Sequence, residues 1–156
     1  MADKYRLTPM PEGQEFEVDL EQTREFQFPE SLSSGNPLVA FESNVYGMFN
    51  FVMKDGTRSQ LEFTDYAPKE QREIKGAVRR IDLYTETLNC GQRLNCIMLY
   101  DKQAQRVCDA GYDEEGDKVT RIQLEEDELI LGVRSRTLVG KPSAHVNFRF
   151  VIGKKV

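Results

Sequence analysis

Apolar and polar residues alternate with a period of two along most of the chain, the signature of strands that bury one face and wet the other. Residues 15–20 set Phe16, Val18 and Leu20 against Glu15, Glu17 and Asp19. Residues 25–28 put Phe26 and Phe28 on one side before Pro29, which has no N–H to continue a ladder. After a short run at 38–41, residues 45–54 differ: Val45, Phe49, Phe51 and Met53 point one way and Tyr46, Met48 and Val52 the other. A strand apolar on both faces is central in a packed structure or covered by a partner. Asp55-Gly56 then marks a tight hairpin, with residues 58–64 as its return strand.

Residues 67–76 hold the best helix formers in succession, yet Pro68 and Gly76 confine them and no apolar stripe runs through them, so they read as an exposed connection. Strand character resumes over 77–85 with Val78, Ile81, Leu83 and Tyr84, and the uneven spacing at Arg79-Arg80 predicts a bulge. Residues 93–101 alternate Leu94, Cys96, Met98 and Tyr100 against Asn95, Ile97 and Leu99, a short strand follows around 106–108, and an acidic, glycine-bounded loop spans 111–118. The cleanest alternation lies in 119–152. There Ile122, Leu124, Leu129, Leu131, Val133, Val146, Phe148, Phe150 and Ile152 face inward, while Glu128, Ile130, Gly132, Arg134, His145, Asn147, Arg149 and Val151 take the opposite face. The whole pattern predicts an all-β fold, a β-prism-like or β-sandwich arrangement of about ten short antiparallel strands.

The length of 156 residues suits one domain. Pro9, Pro11 and Gly13 among charges make residues 1–14 an arm, flexible or ordered by a partner, and residues 15–156 the single all-β domain, with the turn formers at 31–37 as a candidate internal boundary. The net charge of −5, with basic residues scattered, offers a phosphate backbone no concentrated footprint and argues against nucleic acid. No apolar run approaches the roughly 18 residues a membrane helix needs, and the first 20 residues lack the apolar core of a secretory signal. Cys90, Cys96 and Cys108 are an odd number without an export signal, so the expectation is reduced thiols in the cytoplasm.

Four pieces of the C-terminal half resemble jacalin-like β-prism domains: Val78-Arg79-Arg80-Ile81-Asp82-Leu83; residues 94–101 with the turn to Gly111; Ile122-Gln123-Leu124-Glu125-Glu126-Asp127-Glu128-Leu129-Ile130-Leu131-Gly132-Val133; and Asn147-Phe148-Arg149-Phe150-Val151-Ile152-Gly153. The resemblance implies a sugar-binding loop before the last strand, here residues 140–146, with Gly140, Ser143, His145 and Asn147 as the ligand residues of a lectin. The family's loop ends in an aspartate that accepts hydrogen bonds from sugar hydroxyls, and the matching position here is Val146.

Candidate chemistry is otherwise sparse. His145 is the single histidine, Cys90, Cys96 and Cys108 lack zinc-site spacing, and the carboxylates at 113–117 do not follow a calcium-loop pattern. The sequence therefore predicts no catalytic residues, no metal and no cofactor. It points to a non-catalytic binding or structural module, a protein-protein interaction subunit of a larger intracellular assembly, with a carbohydrate-binding lectin as the alternative. The partner-interface candidates are Tyr46, Met48, Phe49 and Phe51 on the two-faced strand, and Arg134 and Arg136, which with Arg149 can share a face toward an acidic partner.

Overall fold

The computed structural model describes residues 5–7, 20–32, 35–44, 49–59 and 69–155. They form β1 (Tyr5–Leu7), β2 (Thr23–Phe28), β3 (Leu38–Asn44), β4 (Phe49–Met53), β5 (Lys69–Glu73), β6 (Arg80–Leu88), β7 (Gly91–Tyr100), β8 (Arg106–Gly111), β9 (Lys118–Gln123), β10 (Glu128–Leu138) and β11 (Lys141–Lys155). The all-β expectation holds, and every described strand pair is antiparallel. Among the described residues no helix is long and apolar enough to cross a membrane.

The larger sheet has eight strands in the order β2-β10-β11-β7-β6-β9, with β1 added to β11 and β8 to β7; the smaller is β4-β3-β5. The 15-residue β11 organises the larger sheet, since β10 runs along one of its edges while β7 and β1 share the other. Phe41, Phe49, Phe51 and Met53 from the small sheet meet Ile81, Ile97, Leu99, Val133 and Phe150 from the large one in a single core. Each such fully buried side chain contributes about 2 kcal/mol of hydrophobic free energy.

Several sequence expectations fall outside the described residues: the strand at 15–19, positions 45–48 with Tyr46 and Met48, and the return strand beyond Ser59. Within the segment read as an arm, Tyr5–Leu7 pairs with the end of β11. The exposed connection at 67–76 is corrected, because Lys69–Glu73 is a strand pairing with β3 from Asn44↔Lys69 to Ala40↔Glu73. Its polar side chains suit a wet edge, and the backbone groups of β3 recruit it despite its helix propensity.

Phe49 and Phe51 are also corrected as interface candidates. Both are buried, at 8% and 1% exposure, inside the chain's own core. The opposite face of β4 is covered by the chain as well: Ser59 Oγ accepts from Phe51 N at 2.9 Å and lies 3.2 Å from Asn50 Oδ1, while Arg58 pairs with Glu42 at 2.5 Å. A partner is not needed to explain a strand with two apolar faces.

The remaining corrections share one cause, the β-bulge, which inserts one residue and reverses every side chain beyond it. The bulge expected at Arg79-Arg80 is present, since Arg79 N donates to the Tyr100 carbonyl at 2.8 Å although Tyr100 is already the partner of Arg80; the register of β6 with β7 breaks again between Tyr84 and Thr85, where Asn95 is the extra residue, so Leu94 joins Ile97 and Leu99 in the core. Leu131 is extra on β10 between Ile130↔Ile152 and Gly132↔Val151. Ile130 is thereby buried in the core and Leu129 is exposed, the reverse of the alternation read from sequence. A further bulge falls at Asn147, whose φ of 53° lies in the left-handed region that asparagine tolerates better than most residues.

Candidate functional site

The Asn147 bulge builds the site. Between Arg134↔Arg149 and Arg136↔Val146, β10 supplies Ser135 alone while β11 supplies Asn147 and Phe148. Because the parity of β11 changes there, His145 turns inward beside Phe148 rather than away from it, which corrects its reading as a surface residue. It is 6% exposed and ringed by Phe26, Phe49, Phe51 and Phe148, with ring centroids 5.0 to 6.4 Å away. Its Nδ1 lies 2.8 Å from Ser135 Oγ. Burial pulls its pKa down to about 4, so the imidazole is neutral at pH 7. Shielded from solvent, it anchors the sheet beneath the surface rather than reaching a ligand.

Above this buried pair, Arg134 and Arg136 flank Ser135 on the outer face of β10. Together with Arg149 and Asn147 of β11, and Glu25 and Gln27 of β2, they line a cleft of ≈ 420 Å³ whose rim includes Leu20. The register explains the convergence, since Glu25 lies opposite Arg136 and Gln27 opposite Arg134. Arg134 donates from Nε to Gln27 Oε1 at 2.9 Å. Arg136 donates from Nε to Thr23 Oγ1 at 2.7 Å and from Nη2 to the Thr23 carbonyl at 3.2 Å. Both guanidinium groups therefore lean from β10 across β2. The carboxylate of Glu25 is 92% exposed and 3.7 Å from Arg136 Nη1, a pairing that solvent screens strongly.

Of the residues singled out in the sequence, the structure brings together Arg134, Arg136, Arg149 and Asn147. Gly140 lies elsewhere, in a separate depression with Cys90, Leu138 and Val139, where its φ of 81° fits the hairpin turn. Ser143 belongs to β11, but its side chain is outside the described set. Gln27 and Glu25 were not foreseen as site residues; their alternation with Phe26 and Phe28 was the available signal. Cys90, Cys96 and Cys108 are separate buried thiols, and no group of metal-ligating side chains forms among the described residues. In the loop between β8 and β9, Asp117 accepts from Glu114 N at 2.9 Å and Asn95 Nδ2 at 3.2 Å, a turn-forming role.

No protein-family model matches the chain, and no curated protein sequence matches it. Among solved structures, the chain is similar to the V. cholerae biofilm matrix protein Bap1, with a TM-score of 0.56 and 11% identity over 98% of this chain. The chain spans 24% of the length of that protein. Calystegia sepium agglutinin matches with a TM-score of 0.44 and 11% identity, over 100% of this chain and 97% of the agglutinin. At such identity the likeness to Bap1 is one of fold alone.

Proposed function

We propose that the chain is a non-catalytic binding module of a larger cytoplasmic assembly, and that its cleft on β2, β10 and β11 holds acidic groups of a protein partner. The observation that carries this reading is the convergence of three guanidinium groups on a cleft whose lining has one carboxylate, in a chain of net charge −5. Arginine forks suit bidentate recognition of carboxylates, and a local positive field on an acidic protein selects partners as well as attracting them. Three unbonded, buried thiols support a reducing compartment. Calorimetric titration with a polyglutamate peptide tests the reading. Binding should weaken by roughly tenfold or more in Arg134→Gln/Arg136→Gln, about 1.4 kcal/mol or more, and circular dichroism should show the variant folded. Equal affinity for the folded variant would overturn it.

A second reading, carbohydrate binding, is favoured by Asn147 in the cleft wall, whose amide can donate to and accept from sugar hydroxyls. A glycan array that includes neutral and uronic-acid sugars separates the two. Retention of a sugar that Asn147→Ala abolishes would select the lectin reading.

A further inference from the structure

We infer that Gln27 is the positioning residue of the cleft, holding the Arg134 guanidinium so that the partner's carboxylate is received between Arg134 and Arg149; this rests on the cleft reading above. The register sets Arg134 directly opposite Arg149 on neighbouring strands, and both line the cleft. Like charges that face each other across a ladder repel and destabilise it. The cleft's own carboxylate, Glu25, stands on the Arg136 side, 3.7 Å from Nη1, so the positive charge is concentrated where Arg134 and Arg149 meet. A carboxylate bound there relieves a repulsion that the fold builds in.

A long arginine side chain beside a like charge would swing away into solvent if nothing held it. Gln27 holds it, and is itself fixed: Nε2 donates to the Pro29 carbonyl at 3.3 Å and to the Glu30 carbonyl at 2.9 Å, while Oε1 accepts from Arg134 Nε at 2.9 Å. The three partners agree on one orientation of the amide. A carbonyl can only accept and an arginine Nε–H can only donate, so a flipped amide would lose all three bonds. The backbone bend at residues 29–30 thus fixes Gln27, and Gln27 fixes Arg134. With Nε engaged, the Nη1–Nη2 edge of Arg134 is the one that takes a carboxylate in a two-bond fork. Arg136 is anchored separately, by the hydroxyl and carbonyl of Thr23. Fixing Arg134 before the partner arrives removes the cost of ordering it on binding.

The test is a double-mutant cycle on the full chain, with the polyglutamate peptide as probe and calorimetry as the readout. Gln27→Met removes the amide at similar length, and circular dichroism checks that each variant is folded. It should weaken binding roughly three- to tenfold in the wild-type chain and in Arg136→Gln, but by less than about twofold in Arg134→Gln. A merely structural role would not produce that selectivity. Unchanged affinity in Gln27→Met would overturn the positioning role. So would an equal loss in the Arg134→Gln background, or a loss that Arg136→Gln abolishes as well; the cleft reading survives all three results. Absence of peptide binding by the wild-type chain would overturn both ideas. Should Gln27→Met fail to fold, NMR of the wild-type chain decides instead: the Arg134 Nε–H should exchange with water more slowly than that of free arginine, and exchange as fast as in free arginine would overturn the role.

Discussion

Replacing His145 with glutamine should remove an acid-sensitive component of stability that the wild-type chain carries. The imidazole titrates at 6.5 when exposed and at about 4 in the folded protein, with burial as the cause. Its surroundings are four phenyl rings and the Ser135 hydroxyl. Between these two values the unfolded chain holds a proton on His145 that the folded chain does not. Unfolding therefore takes up a proton, and stability falls as the pH falls through this window. At about 1.4 kcal/mol per pKa unit the full effect is about 3 kcal/mol, and about 2.5 kcal/mol of it is expressed by about pH 4.5. Urea unfolding of the wild type and His145→Gln at about pH 7.5 and pH 4.5 measures it. Carboxylates affect both proteins alike, so the difference between the two pH-dependent losses isolates the histidine. The wild type should lose about 2 to 3 kcal/mol more than the variant. Equal losses would refute the argument, because they would mean that the imidazole is hydrated in the folded state.

Three other outcomes follow from the packing. Gly132→Ala would place a Cβ 2.6 Å from the Phe28 carbonyl oxygen and should cost about 1–3 kcal/mol, and Gly111→Ala would place one 2.1 Å from that of Asn95 at a φ of 78° and should cost more, since left-handed strain of about 1–2 kcal/mol adds to the clash. Hydrogen exchange should show the loss in β2 for the first, while Gly140→Ala, with open space but a φ of 81°, should cost only about 1–2 kcal/mol. Burial pushes the Cys96 thiol up to about 12 and the Cys108 thiol up to about 11, so alkylation near neutral pH should reach them only after denaturant is added, as read by mass spectrometry. Asp82→Asn should lower the urea midpoint, and the loss should persist at high salt because the Asp82 side chain is 1% exposed; disappearance of the difference in salt would mark its pairing with Arg121 as an ordinary surface pair.

The period-two pattern carried most of the architecture, because a strand with one buried face writes its burial directly into alternate residues. It carried less of the inward and outward assignment. Leu129 and Ile130 are both strong apolar strand residues, and only the bulge at Leu131, set by the register of β10 on β11, decides which is buried. The same holds for His145, which the alternation put on the wet face and the Asn147 bulge puts under four rings. Residues 69–73 hid their strand because a polar edge strand leaves no apolar stripe. At the candidate site, Arg134, Arg136 and Arg149 could be read as one face from parity on neighbouring strands. Glu25 and Gln27 could not be joined to them, since the pairing of β2 with β10 links residues more than a hundred positions apart in the sequence.

The central place of β11 also sets an order of events during synthesis. It is the last of the described strands to be made, yet β10, β7 and β1 all pair with it, and Tyr5 meets Lys155 only when nearly the whole described chain has been translated. At about 5–20 residues per second that wait is roughly ten to thirty seconds. Hairpins such as β6 with β7 can close during it and gain β8 and β9 on their outer edges, but the edge of β7 at Arg93, the inner edge of β10 and the whole of β1 wait for β11, and contacts so distant in sequence make the final step slow. The nascent chain therefore passes through a stage in which unfinished sheet edges are open, and such edges are the surfaces that chaperones shield.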